Sequence, residues 1–171
     1  MRFTYCPDCG ARLNHRDLGD DKNVPWCDKC SKPWFDMFST CVITLVHRRN
    51  GEVLLLKQNY ISSQYRNLVS GFMQPGENAA QGAEREVLEE TGLEVKELEL
   101  VGTWWFAKKG LLMIGHLATV EDDAPLKLSV EVDGASWHRP AEALSLVHPA
   151  GSGSVSNALC DLYLKRTEAQ R

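Results

Sequence analysis

Glu86, Glu89 and Glu90 fall within five residues of this 171-residue chain, and their type and spacing suit chemistry. At 3.6 residues per helical turn, Glu86 and Glu90 lie about 40° apart around the axis, with Glu89 about 60° to the other side. A helix over residues 79–91 therefore carries three carboxylates on one face. Residues 77–90 also hold Glu77 and Glu84 against Arg85 alone, which leaves four net negative charges. Like charges at this spacing weaken a bare helix, and a divalent cation removes the repulsion. Hard oxygen donors suit Mg²⁺ or Mn²⁺. The competing reading is a solvated acidic face, and two features count against it. Glycines in the preceding loop, residues 71–76, let backbone approach a ligand. Ala79, Ala83, Val87 and Leu88 mark an apolar stripe, which makes the helix a core element.

A second group is sulfur-rich. Cys6-x2-Cys9 and Cys27-x2-Cys30 are separated by 17 residues. Each CxxC can offer two thiolates to one tetrahedral ion, and the gap has room for a hairpin that joins the pairs. The segment around them is polar and has too few large apolar residues for a core, so bound Zn²⁺ would supply its folding free energy. A redox dithiol is the alternative. His15 is the other soft ligand nearby, but four cysteines already complete a structural tetrahedron. Cys41 and Cys160 sit in apolar surroundings and read as buried, inert thiols.

Several elements must position these groups. Residues 39–46 are β-branched and read as a strand. Asn50-Gly51 is a hairpin signal, with residues 52–57 as the return strand and 58–67 as a polar loop. Gly92 is placed to stop the acidic helix. Further strands are expected at 98–106, 111–119 and 127–132, with a short one at 135–138. Pro140 opens a helical turn over 140–144, and 154–165 reads as a terminal helix. This mixture is not a regular βαβ alternation, so an α+β class is expected. The division expected is 1–34 for the cysteine segment and 35–171 for the main domain.

Composition bounds the function. Hydrophobic residues make up 43%, charged residues 25%, and the net charge is −4. Nothing in that balance suggests a broad basic surface for duplex nucleic acid or anionic membrane. The N-terminus shows no apolar signal core, and apolar runs such as residues 111–114 are far too short to span a bilayer. A cytoplasmic protein is expected.

Residues 71–93 resemble the Nudix box, G-x5-E-x7-R-E-U-x-E-E-x-G-U with U bulky and aliphatic. Gly71, Glu77, Arg85, Glu86, Val87, Glu89, Glu90, Gly92 and Leu93 occupy its fixed positions. The resemblance implies an α/β/α sandwich and a metal-dependent hydrolase of nucleoside diphosphate derivatives. It implies Glu86, Glu89 and Glu90 as Mg²⁺ or Mn²⁺ ligands, joined by the Gly71 carbonyl. Arg85 and Glu77 would form a supporting ion pair that fixes the loop to the helix. A zinc ribbon followed by such a domain is similar to the NADH pyrophosphatase branch of the family. By that similarity Glu131, in the strand expected at 127–132, is a further ligand or catalytic carboxylate, and a homodimer is implied. Glu89 and Glu131 are both candidates for the general base.

The chain departs from that branch after the box. The branch carries SQPWPFPxS, whereas this chain reads Gly-Thr-Trp-Trp-Phe-Ala-Lys-Lys from Gly102. Trp104, Trp105 and Phe106 are candidates to stack a base, Lys108 to meet a phosphate, and Phe72 to contact substrate beside the box. The competing reading places alternate aromatics in the core and the lysines at a solvated hairpin tip. The expected activity is pyrophosphohydrolysis of an NAD(H)-like dinucleotide or ADP-ribose, a nucleotide small molecule. Nucleic acid enters only as a capped RNA end. The alternative is a zinc-ribbon adaptor or regulator with a non-catalytic, nucleotide-sensing domain.

Overall fold

The computed structural model describes residues 3–169, so the first two and last two residues of the expected domains lie outside it. Two compact units divide between Phe38 and Ser39. In the first, strands β1 (Asn14–Leu18), β2 (Asp21–Cys27) and β3 (Lys32–Pro33) form an antiparallel sheet in that order. Its small buried cluster consists of Cys6, Leu13 and Cys27, with Phe3, Ala11 and Trp34 packed against them. Thiols thus occupy much of the space where a core would stand.

The second unit is built on β4 (Ser39–Arg48), β5 (Val53–Lys57), β6 (Val69–Phe72), β7 (Glu97–Phe106), β8 (Leu111–Val120) and β9 (Gly134–His138). The sheet order is β7-β8-β4-β5-β9, with β6 also paired to β4. β4 and β8 run parallel from Ser39↔Leu111 to Arg48↔Val120, and the other pairs are antiparallel. Alternation along β4 and β5 creates two cores. Cys41, Ile43, Leu45, Val53 and Leu55 pack against α2 (Pro140–Leu146) and α3 (Val155–Ala169) through Ala143, Leu159 and Tyr163. Val46, Leu54, Leu56 and Val69 pack against α1 (Ala79–Thr91) through Val87. Helices on both faces make the expected α/β/α sandwich. Among the described residues no helix is long and apolar enough to cross a membrane.

α1 has the bounds expected, and its ends show why. The Asn78 side chain accepts from the Gln81 N–H at 3.0 Å, and the Gln81 side chain accepts from the Asn78 N–H at 3.0 Å, a reciprocal cap. Gly92 stops the helix at φ 72°, a left-handed conformation that favours glycine.

Three expectations need correction. Residues 127–132 form no strand. Their amides go elsewhere: Lys127 N–H bonds the Thr91 carbonyl at 2.8 Å and Ser129 N–H bonds the Glu90 carbonyl at 3.2 Å. The segment caps α1 instead of joining a ladder, and Glu131 lies in a turn. Leu88 is not part of the apolar stripe but is 52% exposed. Gly71 lies inside β6, not in the loop, and pairs with Val42.

Gly115 shows how tightly the α3 face is packed. A Cβ there would overlap the Trp104 ring and lie 3.2 Å from Leu159 Cδ2. Gly115→Ala should lower stability by about 1–3 kcal/mol in urea unfolding, the usual cost of overpacking. Gly134→Ala, whose Cβ would meet only Lys57 Cβ at 4.0 Å, should cost well under ~1 kcal/mol. Equal effects would show that the Trp104 wedge yields freely.

Candidate active site

β6 and α1 bring the acidic segment together. A Cβ at Gly71 would overlap the Glu86 carboxyl, so glycine is what lets that carboxylate lie on the strand backbone. Arg85 ties the two elements. Its Nε bonds Glu77 Oε1, and its Nη2 donates to Glu77 Oε2 at 3.2 Å and to the Phe72 carbonyl at 3.1 Å. Its Nη1 donates to Glu86 Oε1 at 2.7 Å and Glu89 Oε2 at 2.9 Å. Glu77 also accepts from the Gln74 N–H at 2.9 Å. The Arg85 bond and then the Gln74 amide hold the Glu77 carboxyl below its usual range.

Glu90 is the unusual member, only 5% exposed. Its Oε1 accepts from Gln58 Nε2 at 2.9 Å, while its Oε2 is buried with no hydrogen-bond partner. Burial raises its pKa to about 7. The Gln58 bond and the nearby Ser70 backbone amide oppose that rise, and the charges of Glu86 and Glu131 add to it. Glu131 is exposed, yet its turn brings its charge within reach of the cluster. Glu89 points outward, with its side chain 56% exposed.

The residues present fit a divalent cation. An orphaned, desolvated carboxylate oxygen beside Glu86 and a closely approaching strand is an anionic oxygen site lacking a counter-charge. The carboxylates do not converge as tightly as the thiols. The described His, Cys, Asp and Glu side chains form one group whose ligand atoms lie within 4.8 Å of one another, namely Cys6, Cys9, Cys27 and Cys30. Cys6 and Cys30 Sγ are 3.9 Å apart, and Cys9 and Cys27 Sγ are 3.6 Å apart. Burial pushes the Cys6 thiol up, but the Cys9 and Asp8 backbone amides and neighbouring thiols bring it down to about 6. Cys30 is pushed up to about 12, first by its bond with Cys9 and then by burial. The first thiolate is easy to form and the last is hard, as expected of thiols sharing one site without a cation. All six cysteines are free, and Cys41 and Cys160 are buried.

The aromatic candidates are separated. Trp104 and Phe106 pack against the α2/α3 core. Trp105, in register with Leu112 and through it with Thr40, lies on the α1 face and is 56% exposed. Thr40 accepts from Met73 N–H, which places Trp105 about three strand spacings, roughly 14 Å, from the end of β6. Phe72 is 60% exposed beside Gly71, and Lys108 is exposed in the β7–β8 turn.

Two neighbours of the carboxylates escaped the sequence reading. Gln58 was placed in a polar loop, yet it is 1% exposed. Tyr60 has its phenol pKa raised by burial and by the charges of Glu90, Glu131 and Glu86. The box pattern does not extend to either position. A cavity of about 760 Å³ near the other end of β4 includes none of these groups. Its Arg48, Arg49 and Arg166 are paired with Glu52, Glu97 and Glu99.

Glu90 gives a pH test. A carboxyl raised in the folded state favours folding while protonated, and that contribution is lost as pH rises from about 4.5 through about 7. Without added Mg²⁺ or Mn²⁺, Glu90→Gln removes this loss. The stability of the variant relative to the unmodified protein should rise by roughly 2–3 kcal/mol between pH 4 and pH 8 in urea titrations. A pH-independent difference would contradict the burial argument.

Comparison with known proteins agrees with this geometry. The NUDIX domain family model matches residues 37–159. The chain is 29% identical over 163 residues, 95% of its length, to the NAD-capped RNA hydrolase NudC of Pseudomonas aeruginosa, covering 56% of that protein. It is 33% identical over 153 residues, 84% of its length, to the NAD-capped RNA hydrolase ndx-9 of Caenorhabditis elegans, covering 39% of that protein. The chain thus spans about half or less of these relatives. A crystal structure of a NUDIX hydrolase from Nitrosomonas europaea superposes with TM-score 0.74 at 22% identity, over 97% of this chain and 93% of that one, which shows the shared fold. With a domain match over most of its length and every fixed box position filled, the chain belongs to the Nudix family.

Proposed function

We propose that this protein is a pyrophosphohydrolase that cleaves the diphosphate bond of a nucleoside diphosphate derivative. The substrate class is an NAD-like dinucleotide or ADP-ribose, and the NAD-capped RNA hydrolases among its relatives add an NAD-capped RNA end. The observation that carries the reading is the buried, unpartnered Glu90 Oε2 within an oxygen-rich cluster. The fit is to Mg²⁺ or Mn²⁺, held by Glu86, Glu89, Glu90, the Gly71 carbonyl and Glu131.

Such cations supply neutralisation of the pyrophosphate charge and a lowered pKa for water. The chain's own residues do the rest. Arg85, through Glu77 and the Phe72 carbonyl, holds the strand end against the helix. Water oxygen attacks one phosphorus, the bridging P–O bond breaks, and the other phosphate leaves. Glu89 and Glu131 are the carboxylates most open to solvent, and one of them takes the proton of that water. Phe72 and Trp105 offer exposed aromatic surface for a base, while Trp104 and Phe106 serve the core. Lys108 offers a cation at the hairpin tip. We place Zn²⁺ on Cys6, Cys9, Cys27 and Cys30 as a structural ion, because four clustered thiols suit a soft tetrahedral site. Free thiols in paired CxxC units favour a reducing, cytoplasmic setting.

The purified protein with Mn²⁺ or Mg²⁺ should release nucleoside monophosphate from NADH or ADP-ribose. Glu90→Gln should reduce that turnover at least 100-fold while keeping the fold. Full turnover in the variant would sink the assignment, and tight nucleotide binding without product under either metal would favour the regulator reading. Metal analysis should find about one zinc per chain. Replacing Cys6 and Cys9 with serine should remove it, and zinc-free protein purified under reducing conditions would reject the site.

A further inference from the structure

We propose that Gln58 is a positioning residue for this site: its side-chain amide holds one oxygen of Glu90 and so commits the other to the divalent cation. The inference rests on the reading of Glu90 as a metal ligand.

Gln58 follows directly on β5 and is 1% exposed. Its carbonyl accepts from the N–H groups of Ile61 and Ser62 at 2.9 and 3.0 Å, which anchors its backbone. From there Nε2 donates to Glu90 Oε1 at 2.9 Å, and it lies 3.4 Å from the Tyr60 hydroxyl. Glu90 Oε2 is left buried and without a protein partner. A carboxylate with one oxygen tied and the other bare has a defined direction in which to bind a cation.

The chemistry of the donor matters. An amide fixes the carboxylate by hydrogen bonding but adds no charge. A lysine or arginine at this position would neutralise Glu90 and compete with the cation. Arg85 meets Glu77, Glu86 and Glu89 and the Phe72 carbonyl. The neutral donor therefore serves the most buried carboxylate, and the charged donor serves the more exposed ones. Gln58 Oε1 is also buried without a hydrogen-bond partner, but the role proposed for Gln58 rests on its Nε2 donor. It acts through Glu90, as outer-shell partners do when they fix a ligand's orientation.

The test is Mn²⁺ binding to the full chain without substrate, by calorimetry and electron paramagnetic resonance. Gln58→Met keeps volume but loses the donor. It should raise the Kd of the tightest Mn²⁺ site at least tenfold. Gln58→Asn keeps an amide but falls one methylene short, and should weaken binding to an intermediate degree. Glu90→Gln should abolish that site, and adding Gln58→Met to it should cause no further loss. In turnover, Gln58→Met should raise the half-saturating metal concentration and leave kcat at saturating metal within about threefold. Urea midpoint and zinc content report the fold, and if Gln58→Met does not fold, Gln58→Asn decides. A Kd within twofold of the unmodified protein in the folded Gln58 variant, with binding still lost in Glu90→Gln, overturns the role of Gln58 and leaves the hydrolase reading intact. Mn²⁺ binding indifferent to Glu90→Gln overturns the reading of Glu90 itself.

Discussion

A carboxylate in a protein interior is costly unless something offsets its charge. Glu90 occupies such a position between α1 and the sheet, with a single oxygen satisfied by Gln58 and its Oε2 left bare. Much of the second unit is arranged around that cost. At position 71 of β6 the Glu86 carboxyl lies where a Cβ would stand. Arg85 offsets Glu77, Glu86 and Glu89 and pins the strand end. The two apolar cores keep the sheet rigid beneath. The charges neutralised within the protein are thus separate from the one proposed to meet a cation.

The two units show two solutions to anionic ligand groups. In the first, four clustered thiols stand in place of an apolar core, and the Zn²⁺ proposed for them would supply its order. In the second, apolar packing already supplies the order, and hard oxygens are set on a finished scaffold.

Much of this was legible in the sequence, because the signals are local. The bounds of α1 follow from Asn78, Gly92 and helical periodicity, and the cysteine cluster follows from two CxxC pairs. The box pattern located the carboxylates. What failed depended on distant partners. Residues 127–132 alternate like a strand, but their amides cap the carbonyls of Thr91 and Glu90. No local pattern reveals that competition. Gln58 does lie in the loop after β5, but its burial was hidden because polarity suggests solvent, while its partner lies 32 positions away. The aromatic run was split by strand alternation, which sends Trp104 and Phe106 to one face and Trp105 to the other.

The capping contacts at the end of α1 also have a mechanical side. Lys127 and Ser129 fasten the segment bearing Glu131 to the last turn of the helix bearing the other carboxylates. Helix and segment thus share a clamp, and the reach from clamp to Glu131 is two residues. The arm is held at its far end as well, where Val132 is buried in the α1-face core and its N–H bonds the Ser129 carbonyl. One extra residue between clamp and core would therefore disturb both the place of Glu131 and the packing of Val132. The short arm acts as a ruler fixed at both ends.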